Sequence, residues 1–199
     1  MAYALLVLNR FLEAAWAYQR VVELDPDDAS LWRNLGYAFR MLHRPREELV
    51  AYDRAIALDP DYVEVWNRRA TALQRLGRFA EMLQASERAR PLDVSSIVAW
   101  NNAGIAYAGL SRYSEALEAF ERTLTLNPTN AWYWRGKARA LLHLRRYEEA
   151  LDAIEQGLTR APKDQPLWSL KVRILWRMSR FRQTWRALVR TSTLDYTVD

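Results

Sequence analysis

Apolar residues recur along this chain in pairs of stripes, and each stripe has the spacing of one helix face. One stripe comprises Trp100, Ala103, Gly104 and Tyr107, which stand three or four positions apart, as on one side of an α-helix. After a short polar break a second stripe has the same spacing, and its members are Tyr113, Ala116, Leu117, Phe120 and Leu124. The pattern predicts two helices of about 14 residues each, joined by a tight turn.

This helical hairpin repeats along the chain with a period of 34 residues. One apolar stripe of an isolated hairpin stays exposed unless a neighbouring hairpin covers it, so the units are expected to stack into a single array over residues 1–199. The frame predicts a partial unit, 1–28, and five full units, 29–62, 63–96, 97–130, 131–164 and 165–198. The period is marked by five tryptophans, expected to be equivalent and largely buried: Trp32, Trp66, Trp100, Trp134 and Trp168.

The unit at 97–130 resembles the tetratricopeptide repeat, a 34-residue helical hairpin. The resemblance extends over nearly the whole chain and implies an all-α fold, a right-handed α-solenoid of stacked antiparallel helix hairpins. It also implies that the first helix of each unit lines a concave groove and that the protein binds other proteins. The residues that carry the resemblance are Trp100, Gly104, Tyr107, Ala116, Phe120 and Pro128.

Two departures from the family pattern bear on the structure. Glu48 stands where the family has alanine, at the close approach of the two helices of a unit. Pro91 falls inside the second helix of the unit 63–96. Because proline disrupts a helix interior, this helix is expected to end near Arg90 and to be shorter than its counterparts.

Charge divides unequally between the two sets of helices. The 199-residue chain carries a net charge of +5, and only three of its 29 basic residues are lysines. The five first-helix windows sum to +10, with Glu64 as their only acid, whereas the second-helix windows sum to −3. Positive charge is therefore concentrated on the helices that the resemblance assigns to the groove.

The inward-facing positions of the first helices carry mainly arginine and asparagine. Arginine forms forked hydrogen bonds with carboxylates, and asparagine can both donate to and accept from a peptide backbone. The sequence thus predicts a scaffold that binds an acidic, extended segment of a partner protein in a basic groove. The predicted partner-binding residues are Arg33, Asn34, Tyr37, Arg40, Asn67, Arg68, Arg75, Asn101, Asn102, Arg135, Arg139, Arg173 and Arg177.

Two other functions stay open on the sequence. The basic groove could bind single-stranded nucleic acid, with Tyr37, Trp132 and Trp176 stacking on bases, although the modest net charge and acidic second helices disfavour it. Alternatively, the chain could be a structural module that assembles through its apolar ends, or a fragment of a longer array, since Met1 falls in mid-helix. The end residues in question are Leu5, Leu6, Leu8, Trp185 and Leu188.

The sequence offers little chemistry for catalysis. The chain has no cysteine, and its two histidines, His43 and His143, lie far apart with no spacing typical of a metal site or a catalytic triad. No glycine-rich phosphate loop is present. The apolar run Ala4–Leu8 is too short to span a membrane. We therefore expect a cytoplasmic protein that is not an enzyme and has no metal, cofactor or membrane partner.

Overall fold

The computed structural model describes residues 2–180, 183–184, 186 and 188–189. In that part of the chain there are eleven helices and no strand. The helices alternate in pairs along the chain, as the stripes predict. They are α1 (Ala2–Val7), α2 (Phe11–Leu24), α3 (Ala29–Met41), α4 (Pro45–Leu58), α5 (Val63–Arg75), α6 (Phe79–Leu92), α7 (Ile97–Gly109), α8 (Tyr113–Leu126), α9 (Ala131–His143), α10 (Tyr147–Arg160) and α11 (Gln165–Arg177).

Each first helix ends in the same left-handed turn. After α3, the His43 N–H donates to the Arg40 carbonyl at 3.1 Å and the Arg44 N–H to the Phe39 carbonyl at 3.0 Å, which is the Schellman arrangement. Six of the described residues have this left-handed conformation, and only one of them is glycine, so the spacing of glycines could not have revealed this turn. The six residues have φ between 55° and 69°, and they are Asn9, His43, Gly77, Ser111, Arg145 and Ser179.

The chain forms two compact units, residues 1–106 and 107–199. In the first unit, α1 to α5 each pack on the helix that follows in sequence. Tyr18, Leu35 and Phe39 lie in its larger buried cluster, and Tyr52 and Val65 in a second one. The small residues between these large ones allow the helix backbones to approach closely.

In the second unit, α8 packs on α9, α9 on α10, and both α9 and α10 contact α11. Its core contains Phe120, Leu141, Ile154 and Ile174, which are almost completely buried. These residues come from all four helices, so each helix contributes its apolar stripe to one interior.

The five repeated tryptophans occupy equivalent positions. Each indole N–H donates to the backbone carbonyl six residues earlier, at 2.7–3.1 Å. The rings are only partly buried, less than the sequence predicts, because the indole edge reaches the turn that precedes its helix. The Arg90 guanidinium lies over the Trp100 ring, 3.8 Å from its centre. This face of the ring therefore contacts a cationic side chain instead of the apolar core.

The prediction that Pro91 shortens its helix is wrong. α6 runs to Leu92 and has 14 residues, as many as α4 and α8. Pro91 lies in the last turn, where its missing N–H removes only its own hydrogen bond. The Asp93 N–H donates to the Ala89 carbonyl at 3.1 Å and closes the helix around the proline.

The apolar residues at the start of the chain are divided between core and surface. Leu6 is buried, and Leu5 packs against the same core. Leu8 is 63% exposed, and Leu188 is also exposed. Trp185 lies outside the described residues. Assembly through these ends stays a prediction.

Packing between α3 and α4 depends on Gly36. A Cβ added there would overlap the ring of Tyr52, which is completely buried. The next unit carries Ala70 and Ser86 at the equivalent positions, both fully buried, so the larger first-helix residue faces a smaller partner. We therefore predict that Gly36→Ala lowers the free energy of unfolding by about 1–3 kcal/mol, the usual cost of overpacking. Urea denaturation followed by circular dichroism measures this change.

The control for this prediction is Gln84→Ala on α6, where the side chain is exposed. Its effect should stay within about 0.5 kcal/mol. A Gly36→Ala variant as stable as this control would contradict the packing described here.

Candidate functional site

The predicted partner-binding residues fall into two sets, one in each unit. In the first unit they lie on α3, α5 and α7, and in the second on α9 and α11. The first set is Arg33, Asn34, Tyr37, Arg40, Asn67, Arg68, Arg75, Asn101 and Asn102, and the second is Arg135, Arg139, Arg173 and Arg177.

Two arginines of the first unit are paired with an internal acid. Arg68 Nε donates to Glu64 Oε1 at 2.7 Å, and Arg33 approaches Glu64 Oε2 at 3.3 Å. Burial alone would raise the pKa of Glu64, but the hydrogen bonds and charges of Arg68 and Arg33 outweigh it and lower that pKa. Glu64 therefore stays ionised at neutral pH and pairs with both guanidinium groups.

A cavity of about 310 Å³ lies beside this ion pair. It is formed by side chains of α1, α3 and α5, including Tyr3, Val7 and Asn34. The Arg68 guanidinium lies over the Tyr37 ring, 5.4 Å from its centre. This part of the first unit combines apolar and aromatic side chains with arginines that already have a carboxylate.

Arg75 is paired with a second internal acid. The Glu48 side chain is completely buried and forms an ion pair with Arg75. Burial raises the pKa of Glu48, more than the nearby charges of Arg75, Arg40 and Arg68 lower it. Its Oε1 atom has no hydrogen-bond partner among the described residues. Glutamate in place of the family's alanine thus puts a carboxyl group between the helices, within reach of the predicted arginines.

Asn67 and Asn102, which the sequence predicts to bind a partner's backbone, form hydrogen bonds within the protein. Asn67 Nδ2 donates to Ser96 Oγ at 3.2 Å, and that oxygen accepts from the Ala99 N–H at 3.3 Å, at the start of α7. Asn102 Nδ2 donates to the Asn67 carbonyl at 3.2 Å. Both asparagines are buried, because their positions face the neighbouring helix. Asn101 is only partly buried.

The second unit presents its arginines differently. Arg135, Arg139 and Arg173 line one cavity of about 440 Å³, whose other lining residues are apolar or neutral and include Ser169. The Arg135 guanidinium lies over the Trp132 ring, 4.1 Å from its centre. The lining of this cavity therefore includes three cationic side chains and no acid.

The acid nearest to this cavity is engaged elsewhere. Asp164 lies 3.8 Å from Arg135, at the limit of an ion pair, and its carboxylate accepts the Leu167 N–H at 2.7 Å as the N-cap of α11. Among the described residues, no carboxylate forms an ion pair with Arg139 or Arg173. These two arginines thus have no internal acid comparable to Glu64.

His143, which the sequence analysis did not assign to any site, lies close enough to the arginines of the second unit to be affected by their charge. Partial burial and the positive charges of Arg173, Arg139 and Arg177 lower the pKa of His143. Its ring stacks on Tyr113, with the centroids 4.2 Å apart. The signal in the sequence was its place four residues after Arg139 on one helix, which puts the two side chains on one face.

The described residues show neither a metal-binding cluster nor a membrane-spanning helix. They contain no group of three histidine, aspartate or glutamate side chains placed to hold a metal ion. None of the described helices has the length and apolar character needed to cross a bilayer.

Successive helix hairpins with charged and aromatic side chains on their first helices define a helical-repeat protein. Three sequence models, each of the tetratricopeptide repeat, match residues 1–62, 51–84 and 107–174. The chain belongs to the tetratricopeptide repeat family. Members of this family are typically interaction scaffolds rather than enzymes, and the protein is accordingly a protein-interaction scaffold.

Solved structures with this fold support the assignment. A tetratricopeptide repeat protein from Parabacteroides merdae is 18% identical, with a TM-score of 0.85 over 100% of this chain and 77% of that one. PilF of Pseudomonas aeruginosa is 19% identical, with a TM-score of 0.80 over 99% of this chain and 90% of that one. At these identities the likeness shows the fold, an all-α solenoid.

A third similar structure is a complex. A chain of the APC/C hetero-tetramer Cut9–Hcn1 is 17% identical, with a TM-score of 0.77 over 99% of this chain and 39% of that one. A comparison with curated protein sequences gave no match.

The buried Glu48 carboxyl generates a prediction about pH. Its pKa is raised in the folded protein above the ordinary glutamate value of 4.5, so its contribution to stability is most favourable below that value and is lost as the pH rises through the raised pKa. Glu48→Gln removes this titration. The stability of the variant relative to wild type should therefore increase between about pH 4 and pH 7. Urea denaturation at a series of pH values measures the difference, and a difference that stays constant or falls with pH would contradict the account.

Proposed function

We propose that this scaffold binds an acidic, extended segment of a partner protein through the arginine cluster of its second unit, Arg135, Arg139, Arg173 and Arg177. The observation that carries the proposal is the cavity lined by three arginines and no acid. Like charges held together repel one another, and a ligand carboxylate relieves that repulsion while accepting forked hydrogen bonds.

The ligand's backbone and apolar groups also have contacts in this cavity. Pro166 and Leu170 supply apolar surface, and the Ser169 hydroxyl can donate to or accept from a peptide group. An extended segment with acidic side chains at intervals matches this mixture. The Cut9–Hcn1 complex, in which a chain of the same fold assembles with another protein, supports a protein ligand.

The first unit makes a poorer acid site. Its four predicted arginines lie beside Glu64 or Glu48, so an incoming carboxylate would compete with one already present. Of the arginines that the sequence predicts to bind an acidic segment, we therefore propose that only those of the second unit do so.

Single-stranded nucleic acid is the competing ligand, because Trp132 is 49% exposed and carries Arg135 stacked on it. An exposed ring and a guanidinium together can hold a base and its phosphate. The acidic second helices of this unit, which include Glu148 and Asp152, repel a long polyanion and favour the peptide.

Fluorescence anisotropy with a labelled glutamate-rich peptide tests the proposal. Wild type should bind it, and Arg139→Gln/Arg173→Gln should weaken binding about tenfold or more, equivalent to about 1.4 kcal/mol. Binding should also weaken with added salt, since exposed charges are screened over about 8–10 Å. The matched control is Arg122→Gln, an exposed arginine on α8 of the same unit, which should bind as wild type does.

Two results would contradict the proposal. One is equal loss of peptide binding in the double variant and in the Arg122→Gln control. The other is tight, steeply salt-dependent binding of a single-stranded oligonucleotide without binding of the acidic peptide, which would favour the nucleic-acid function.

A further inference from the structure

We propose that Glu64 acts as a resident carboxylate for Arg33 and Arg68, and that the cavity beside them binds an uncharged aromatic side chain of a partner protein. The inference rests on the proposed scaffold function and adds a second site of different specificity. It reassigns residues that the sequence predicts to bind acid.

The ion pair leaves the two guanidinium groups with little capacity for a second acid. Glu64 Oε1 accepts from Arg68 at 2.7 Å, and Arg33 Nη1 reaches both Glu64 oxygens, at 3.4 and 3.3 Å. A ligand carboxylate would have to displace Glu64 or lie beside it, and like charges at short range disfavour one another. The site therefore favours an acidic side chain less than the arginine cluster of the second unit does.

The cavity has the size and lining of a site for a ring. Its volume of about 310 Å³ lies at the lower end of the range for small-ligand pockets. Tyr3, Leu6 and Val7 supply apolar surface on α1, and Tyr37 supplies a ring on α3. Arginine faces stack on aromatic rings even when their edges are hydrogen-bonded, as Arg68 already does with Tyr37.

The repeat position that holds Glu64 in the first unit holds an aromatic residue in the second unit. Trp132 stands 68 residues, two repeat periods, after Glu64, and the Arg135 guanidinium stacks on its ring. Arg135 is likewise three periods after Arg33. This position thus carries an acid paired with arginines in the first unit and an aromatic ring stacked on an arginine in the second. Glu64 is therefore the residue that determines specificity in the first unit.

Two peptides that differ at one residue test the inference. The two peptides have the same uncharged sequence except at the central position. That position is phenylalanine in one peptide and glutamate in the other. Anisotropy is measured with the full chain carrying Arg139→Gln/Arg173→Gln, so that the second unit contributes little acid binding. This protein should bind the phenylalanine peptide more tightly than the glutamate peptide. Adding Glu64→Gln should increase affinity for the glutamate peptide about tenfold, because two guanidinium groups lose their internal acid.

Substitutions at two valines test whether the phenylalanine peptide binds in this cavity. Val7 lines the cavity and is 64% exposed, whereas Val50 is 63% exposed on α4 and is not among the lining residues. Val7→Asp should weaken binding of the phenylalanine peptide severalfold, and Val50→Asp should not. Circular dichroism confirms that both variants stay folded.

The inference is overturned if Glu64→Gln leaves the ratio of the two affinities unchanged, or if the two valine variants behave alike. Failure of the proposed function is a separate result, because it is read from acidic-peptide binding to the protein with Arg139 and Arg173 intact. Gain of glutamate-peptide binding on Glu64→Gln would support the inference even if that other binding were absent.

Discussion

The structure depends on the close approach of the two helices in each hairpin. Gly36 lies directly against the Tyr52 ring, and a left-handed turn at His43 returns the chain from the first helix to the second. Together they fix which face of each first helix meets its neighbour. The helical period then determines which residues lie on the remaining face, and that face carries residues that we propose bind a partner.

The same constraint explains what could be predicted from the sequence. Spacing alone predicts the 34-residue period, the paired helices and the equivalence of the tryptophans. The reason is that the spacing of apolar residues along the sequence shows which side chains share one face of a helix. Cross-helix partners do not follow from spacing: Asn67 meets Ser96, and Glu64 meets Arg33 at a separation of 31 residues. Which acid reaches which arginine depends on side-chain length and on the angle between helices. For this reason the charge pattern was predicted, but the ion pairs of Arg33 and Arg68 with Glu64 and of Arg75 with Glu48 were not.

Arginine serves two purposes in this chain. In the first unit it satisfies internal carboxylates, one of them the buried Glu48, whose isolation would be costly without Arg75. In the second unit Arg139 and Arg173 face a cavity lined by no acid. A total charge of +10 on the first helices therefore overstates the charge offered to a ligand. Under the proposed function, the position of the internal acids, more than the number of arginines, decides where an acidic segment binds.

We propose that internal acids decide which arginines meet an acidic partner. The most direct test is a titration of ¹⁵N-labelled protein with a glutamate-rich peptide, followed by the backbone amide shifts of each helix. The account predicts shifts in α9 and α11, around Arg139 and Arg173, with α3 and α5 unchanged. Shifts centred on Arg33 and Arg68, with α9 and α11 unaffected, would contradict it.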